Sequence, residues 1–134
     1  MRKNENKTFK FLNELLTPIA VEREVRLNKV IIDAGEIIRY YTLIDFAFTL
    51  NGQLFYCEFN GQQHYKPVKK WAGKEGFRKQ QIRDEWLRSY CKSNNIHLIE
   101  IDGRKIRGKK IKAYLKRNLK PFLKINQAPL VPVQ

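Results

Sequence analysis

The sequence is short of cysteine, of acid and of long apolar runs. Its only thiols, Cys57 and Cys91, lie far apart and outside any C-x-x-C arrangement. A thiolate zinc site is therefore not expected, and reduced thiols in a cytosol are the simplest reading. No apolar stretch approaches the ~20 residues of a membrane-spanning helix. The N-terminus, Met1-Arg2-Lys3-Asn4-Glu5, lacks the apolar segment of a secretory signal. A cytoplasmic protein without membrane contact is expected. No internal repeat is visible.

The shortage of acid is the most informative of these. Asp and Glu number 13 against 27 Lys and Arg in 134 residues, a net charge of +14. Such an excess repels itself in a compact state, so a polyanionic partner is its natural counterpart. Nucleic acid comes first, because Lys and Arg contacts to phosphate supply most non-specific affinity. An anionic membrane surface comes second. The bland alternative is a protein that is simply basic, as ribosomal proteins often are.

What is present is enough for one folded domain. Apolar residues make up 43% and charged residues 30%, a real core under a solvated surface. Over residues 5–16, Phe9, Leu12, Leu15 and Leu16 make a helical stripe that Thr17-Pro18 closes. Residues 19–27 read as a strand, and 28–38 as loop or short strand. Tyr40 to Leu50 is β-branched, aromatic and apolar. Asn51-Gly52 is a strong two-residue hairpin signal, and Gln53 to Asn60 returns. That register sets Leu50 against Gln53, Phe48 against Phe55, Phe46 against Cys57 and Ile44 against Phe59, one continuous apolar face.

On the other face the same register sets Asp45 against Glu58. Like charges there destabilise a sheet, and a divalent cation held by both carboxylates would offset the repulsion. Otherwise the pair is a solvated face with ill-matched charges. Asn60 follows Glu58 by two and points the same way. His64 sits just beyond the strand.

A basic loop follows to residue 76, with Lys66, Lys69, Lys70, Trp71 and Lys74. It suits a phosphate backbone with Trp71 stacking or wedging, or Trp71 plugs the loop onto the core. Residues 77–94 form an amphipathic helix. Ile82, Trp86 and Tyr90 face the core with Phe77, Leu87 and Cys91 near them, while Gln81, Asp84 and Arg88 share another face. Asn94-Asn95 ends it, and 96–101 is a strand with a structural His97. From Arg104 to Lys124, Ile111, Tyr114, Leu115 and Leu119 form an apolar stripe. Lys109, Lys110, Lys112, Lys116, Arg117 and Lys120 fill much of the rest, with Pro121 limiting the helix. Residues 1–124 are expected as one domain and 125–134 as an extended or disordered tail.

Phosphodiester hydrolysis needs a metal to offset phosphate charge, a group to take the proton of water, and support for the leaving oxygen. Asp45 and Glu58 suit Mg²⁺ (Mn²⁺ is the alternative), and His64 suits proton transfer as base or as acid. The segments Asp45-Phe46, Glu58-Phe59-Asn60-Gly61-Gln62-Gln63-His64-Tyr65-Lys66-Pro67, then Phe77, Gln81, Asp84, Tyr90-Cys91 and Ile96-His97-Leu98-Ile99 carry more. Together they resemble the very-short-patch-repair-like branch of the PD-(D/E)XK nuclease superfamily, which includes phage and homing-type endonucleases with an EDxHD site. The resemblance covers residues 5–101.

It implies an α+β fold with a restriction-endonuclease-like core, a mixed sheet with a central hairpin flanked by helices. It implies Mg²⁺-dependent DNA cleavage in a phage or mobile-element setting. The implied catalytic residues are Asp45, Glu58, His64, Asp84, Gln81 and Glu5, with Glu14 the alternative to Glu5. Asp45, Glu58 and Asn60 are the implied metal ligands. Three positions depart from the family: Asn60 where Asp is usual, Leu87 where Lys is frequent, and Thr42-Leu43-Ile44 where Arg or Pro precedes the aspartate. A degenerate fold that binds DNA or protein without cutting is therefore the second reading. No specificity module is visible, so contacts to the DNA backbone are expected from the 66–76 loop and from Lys109, Lys110, Lys112, Lys116 and Arg117 of the basic helix, with nicking, flap or junction cleavage, or steering by a protein partner or homodimer.

Overall fold

The computed structural model describes residues 2–127; of the tail expected over 125–134, residues 125–127 instead continue the last helix, and 128–134 lie outside the described residues. The chain order is α1 (Lys3–Leu16), β1 (Glu22–Leu27), β2 (Ile31–Asp33), β3 (Glu36–Arg39), β4 (Thr42–Leu50), β5 (Gln53–Asn60), α2 (Gly73–Ser93), β6 (His97–Asp102) and α3 (Lys109–Gln127). Two 3-10 turns, Gln62–His64 and Lys69–Trp71, bridge β5 and α2. The fold is α+β. A mixed sheet runs in the order β1-β4-β5-β6, and β2 and β3 pair as a separate antiparallel hairpin. β5 and β6 are parallel, with α2 as their crossover.

The Asn51-Gly52 turn has both residues at positive φ, 54° and 76°, as a tight hairpin between twisted strands requires. Leu50–Gln53, Phe48–Phe55 and Phe46–Cys57 pair as the sequence predicts. Phe48 stacks on Phe55 at 5.0 Å between centroids. Under this face lie Leu12 and Leu16 of α1 and Ile111, Leu115 and Leu119 of α3. His97 packs against Phe55 and Phe122, a structural role as expected.

Ile44 corrects the hairpin reading. It packs not with Phe59 but with Ala47, Tyr56, Leu87 and Cys91 on the α2 face. Alternation changes phase at Asp45. The β4–β5 ladder stops at Phe46–Cys57, and the β1–β4 ladder steps from Arg23–Phe46 to Val25–Ile44. Glu24, opposite Asp45, takes a φ of 50°. A local irregularity of this kind re-aims side chains next to a site.

The helices also differ from expectation. α2 begins at Gly73, so Lys74 belongs to its first turn and not to the loop. A Cβ on Gly76 would lie 1.9 Å from the Trp71 carbonyl oxygen, so only glycine lets α2 start this close against the preceding turn. The buried line of α2 is Arg83, Asp84, Leu87 and Cys91, with Trp86 and Tyr90 packed beside it. Asp84 thus faces inward while Gln81 is exposed. α3 begins at Lys109 and keeps Pro121 inside it. The carbonyl that proline leaves without a donor belongs to Arg117, an exposed residue. No described helix is long and apolar enough to cross a membrane.

Candidate active site

Where β4 and β5 part, side chains replace the missing rungs. The Asp45 amide donates to Glu58 Oε2 at 3.1 Å, and the Phe59 amide donates to Asp45 Oδ2 at 2.8 Å. The expected opposition of the two carboxylates therefore becomes a reciprocal bond to backbone. The other Glu58 oxygen accepts from Arg83 Nη1 at 2.5 Å. Arg83 also donates to Thr42 Oγ1 (2.7 Å), the Leu43 carbonyl (2.9 Å) and Asp84 Oδ1 (3.2 Å). Glu58 and Arg83 are both buried, a charge pair that survives burial because nearly every polar atom is bonded.

A cleft of about 240 Å³ opens here, lined by Glu5, Asp45, Glu58, His64, Gln80 and Arg83 among others. Glu5 comes from the first turn of α1, where Arg23 Nη2 approaches it at 3.6 Å. Glu14 is exposed and pairs with Lys112 at 3.1 Å, outside the cleft. Of the two candidate N-terminal acids, the structure brings Glu5 to Asp45.

His64 Nδ1 lies 2.8 Å from Asp84 Oδ2, and Gln80 Nε2 donates to Asp84 Oδ1 at 2.9 Å. Gln80 therefore holds the place expected of Gln81, one residue earlier because α2 is rotated to bury Arg83 and Asp84. Burial works to raise the Asp84 carboxyl's pKa, but His64, Gln80 and Arg83 outweigh it and hold it below the ordinary range. An ionised Asp84 fixes the proton on Nδ1 and leaves Nε2 for proton work.

Asp45 moves the opposite way. Burial first, then the Glu58 charge, push it up to about 8, against the Phe59 N–H that favours the ion. The cleft thus carries more carboxylate than its surroundings support. That fits a divalent cation, since Mg²⁺ binds through one or two carboxylates and keeps several waters. Among the described residues, no group of three or more His, Cys, Asp or Glu is placed to hold a metal ion, so a cation here would rest on one or two carboxylates and water. Asn60 does not line the cleft. Its Nδ2 donates to Glu100 Oε1 at 3.3 Å and its buried Oδ1 has no partner. The expected ligand role for Asn60 is corrected accordingly: it shares the face of Glu58 but lies two residues farther along β5, where it meets Glu100, which Arg88 also grips.

Arg83 and Arg39, both lining the cleft, escape a reading of the sequence alone. For Arg83 a signal exists: counting back by four from Cys91 through Leu87 reaches it. The expected DNA-contacting residues divide. Lys66, Lys70 and Trp71 line a groove of about 480 Å³ beside the cleft, while Lys69 and Lys74 are exposed nearby in the chain. Lys109, Lys110, Lys112, Lys116 and Arg117 are all exposed on α3 and line neither cavity.

Comparison with known proteins adds little chemistry. A 70-residue segment, 52% of the chain, is 44% identical to a protein of Invertebrate iridescent virus 6 described as uncharacterized protein 307L. That segment spans about a third of the viral protein's length. No family model and no solved structure matches the chain.

Proposed function

We propose that the protein is a metal-dependent DNA endonuclease. The observation that carries this reading is the convergence of Glu5, Asp45, Glu58 and the His64–Asp84 pair on one cleft at the point where the central hairpin opens. Asp45, with Glu58 beside it, would hold Mg²⁺ or Mn²⁺, with water completing the coordination. A bound divalent ion there offsets charge on the scissile phosphate and readies water. Asp84 positions His64, whose Nε2 takes the proton from the attacking water. Arg83 holds Glu58 and keeps the buried carboxylates compatible. Phosphates flanking the cleft meet Lys66 and Lys70, and the basic face of α3 adds non-specific attraction.

A second reading rests on Glu58, both of whose oxygens are already bonded within the protein. It describes a nuclease-like fold that binds DNA, or a protein partner, without cutting. One experiment separates the two. Plasmid, single-stranded DNA, branched DNA and RNA are incubated with and without Mg²⁺ beside the Asp45→Ala variant. Cleavage of DNA only with metal, abolished in the variant, is the expected result. Binding with no cleavage under Mg²⁺ or Mn²⁺ supports the second reading, and metal-independent cleavage sinks both.

A further inference from the structure

Three cavities share one residue. Arg39 lines the acidic cleft, the basic groove with Trp71 on one side, and a third cavity of about 380 Å³ formed with Tyr40, Tyr41 and Leu43 on the other. Among the described residues Arg39 has no ion pair, its Nη1 donating only to the Ile38 carbonyl at 3.3 Å. Beyond it the surface turns aromatic and apolar. Tyr40 is 72% exposed, Tyr41 has Arg26 over its ring at 3.7 Å, and Ile32 and Ile37, paired across the β2–β3 hairpin, are open to solvent. A guanidinium without an ion pair lining the cleft, the open ring of Tyr40 and an Arg26 guanidinium stacked on one face of Tyr41 combine backbone attraction with flat platforms. Proteins that hold single strands are built this way, because a base offers its π-face only when it is unstacked.

We propose that Tyr40 and Tyr41 form a stacking platform for unpaired bases next to the cleft, so that the substrate is DNA carrying single-stranded nucleotides beside the scissile phosphate. A continuous duplex keeps its base faces covered and cannot use these rings. The inference rests on the nuclease reading for its scissile phosphate, yet its binding component needs no catalysis.

The test measures fluorescence anisotropy in EDTA with labelled blunt duplex, forked duplex and single-stranded DNA of equal length. Wild type is compared with Tyr40→Ala/Tyr41→Ala and with Tyr40→Phe/Tyr41→Phe. Forked and single-stranded DNA are expected to bind about tenfold or more tighter than blunt duplex. The alanine pair loses that preference while keeping its duplex affinity, and the phenylalanine pair retains it. Circular dichroism checks that both variants fold. Equal affinity for all three DNAs, a preference that survives the alanine pair, or tighter binding to matched RNA than to DNA overturns the proposal. So does a dimer that the alanine pair dissolves, which would give the patch a second copy as occupant. A fork preference without any Mg²⁺-dependent cleavage would leave the platform standing while the nuclease reading fails.

Discussion

α2 and α3 lie on opposite faces of one sheet, yet they bury different things. α3 buries Ile111, Leu115 and Leu119 and turns cations to solvent, with no acid anywhere along it. α2 buries Leu87 and Cys91 at one end of its line and Arg83 and Asp84 at the other. An apolar stripe needs only area to be stable. A buried arginine needs partners, and Arg83 finds four, two of them carboxylates. α3 therefore holds the sheet in shape, and α2 holds the cleft in a charge state.

Breaking each helix in turn sharpens that contrast. Arg83→Ala leaves Glu58 buried without its cation and is expected to cost about 3–5 kcal/mol in urea unfolding. The double variant Arg83→Met/Glu58→Leu, which removes both charges, should recover most of that stability without the proposed cleavage. A cost well under ~1 kcal/mol for Arg83→Ala would show that the pair is not the keystone of α2. On α3, Leu115→Ala should cost about 2–4 kcal/mol by leaving a cavity, yet leave the proposed metal-dependent cleavage unchanged at temperatures where the fold persists.

The third prediction concerns pH. Asp45 holds its proton to about pH 8 in the folded protein, far above the range of an unfolded aspartate. Between those limits the folded state binds more protons, so stability falls as pH rises. The metal-free protein should melt at a higher temperature at pH 6 than at pH 8 through this group, and Asp45→Asn should flatten that difference. The smallest effect belongs to the outer face of α3. Lys116→Glu/Arg117→Glu should move stability by less than ~0.5 kcal/mol. It should lower the salt dependence of the proposed DNA binding by roughly one unit of slope for each phosphate that the helix no longer engages.

The same contrast explains what is legible in the sequence. Asn51-Gly52 fixes its hairpin because few residues accept two successive positive φ values, and the pairing down to Phe46–Cys57 follows from it. The stripe of α3 reads correctly because all its buried side chains are apolar. α2 misleads because hydrophobic period assumes that charge points outward, which places Gln81 and Asp84 together and hides Arg83. In fact Gln80, not Gln81, reaches Asp84. The phase change at Asp45 is illegible for another reason. It coincides with a left-handed conformation of Glu24 in the neighbouring strand, and glutamate gives no local sign of that. The β2–β3 hairpin, ambiguous in sequence between loop and strand, carries too short a run for alternation to be read.

One rung of the sheet is also a property of the cleft. The Phe59 amide bonds to the Asp45 carboxylate and not to a carbonyl across the ladder. Its proton resonance therefore senses the charge of that carboxylate directly. Titration, cation loading and a nearby phosphate would each displace one backbone NMR signal, a built-in reporter that reads the cleft without a turnover taking place.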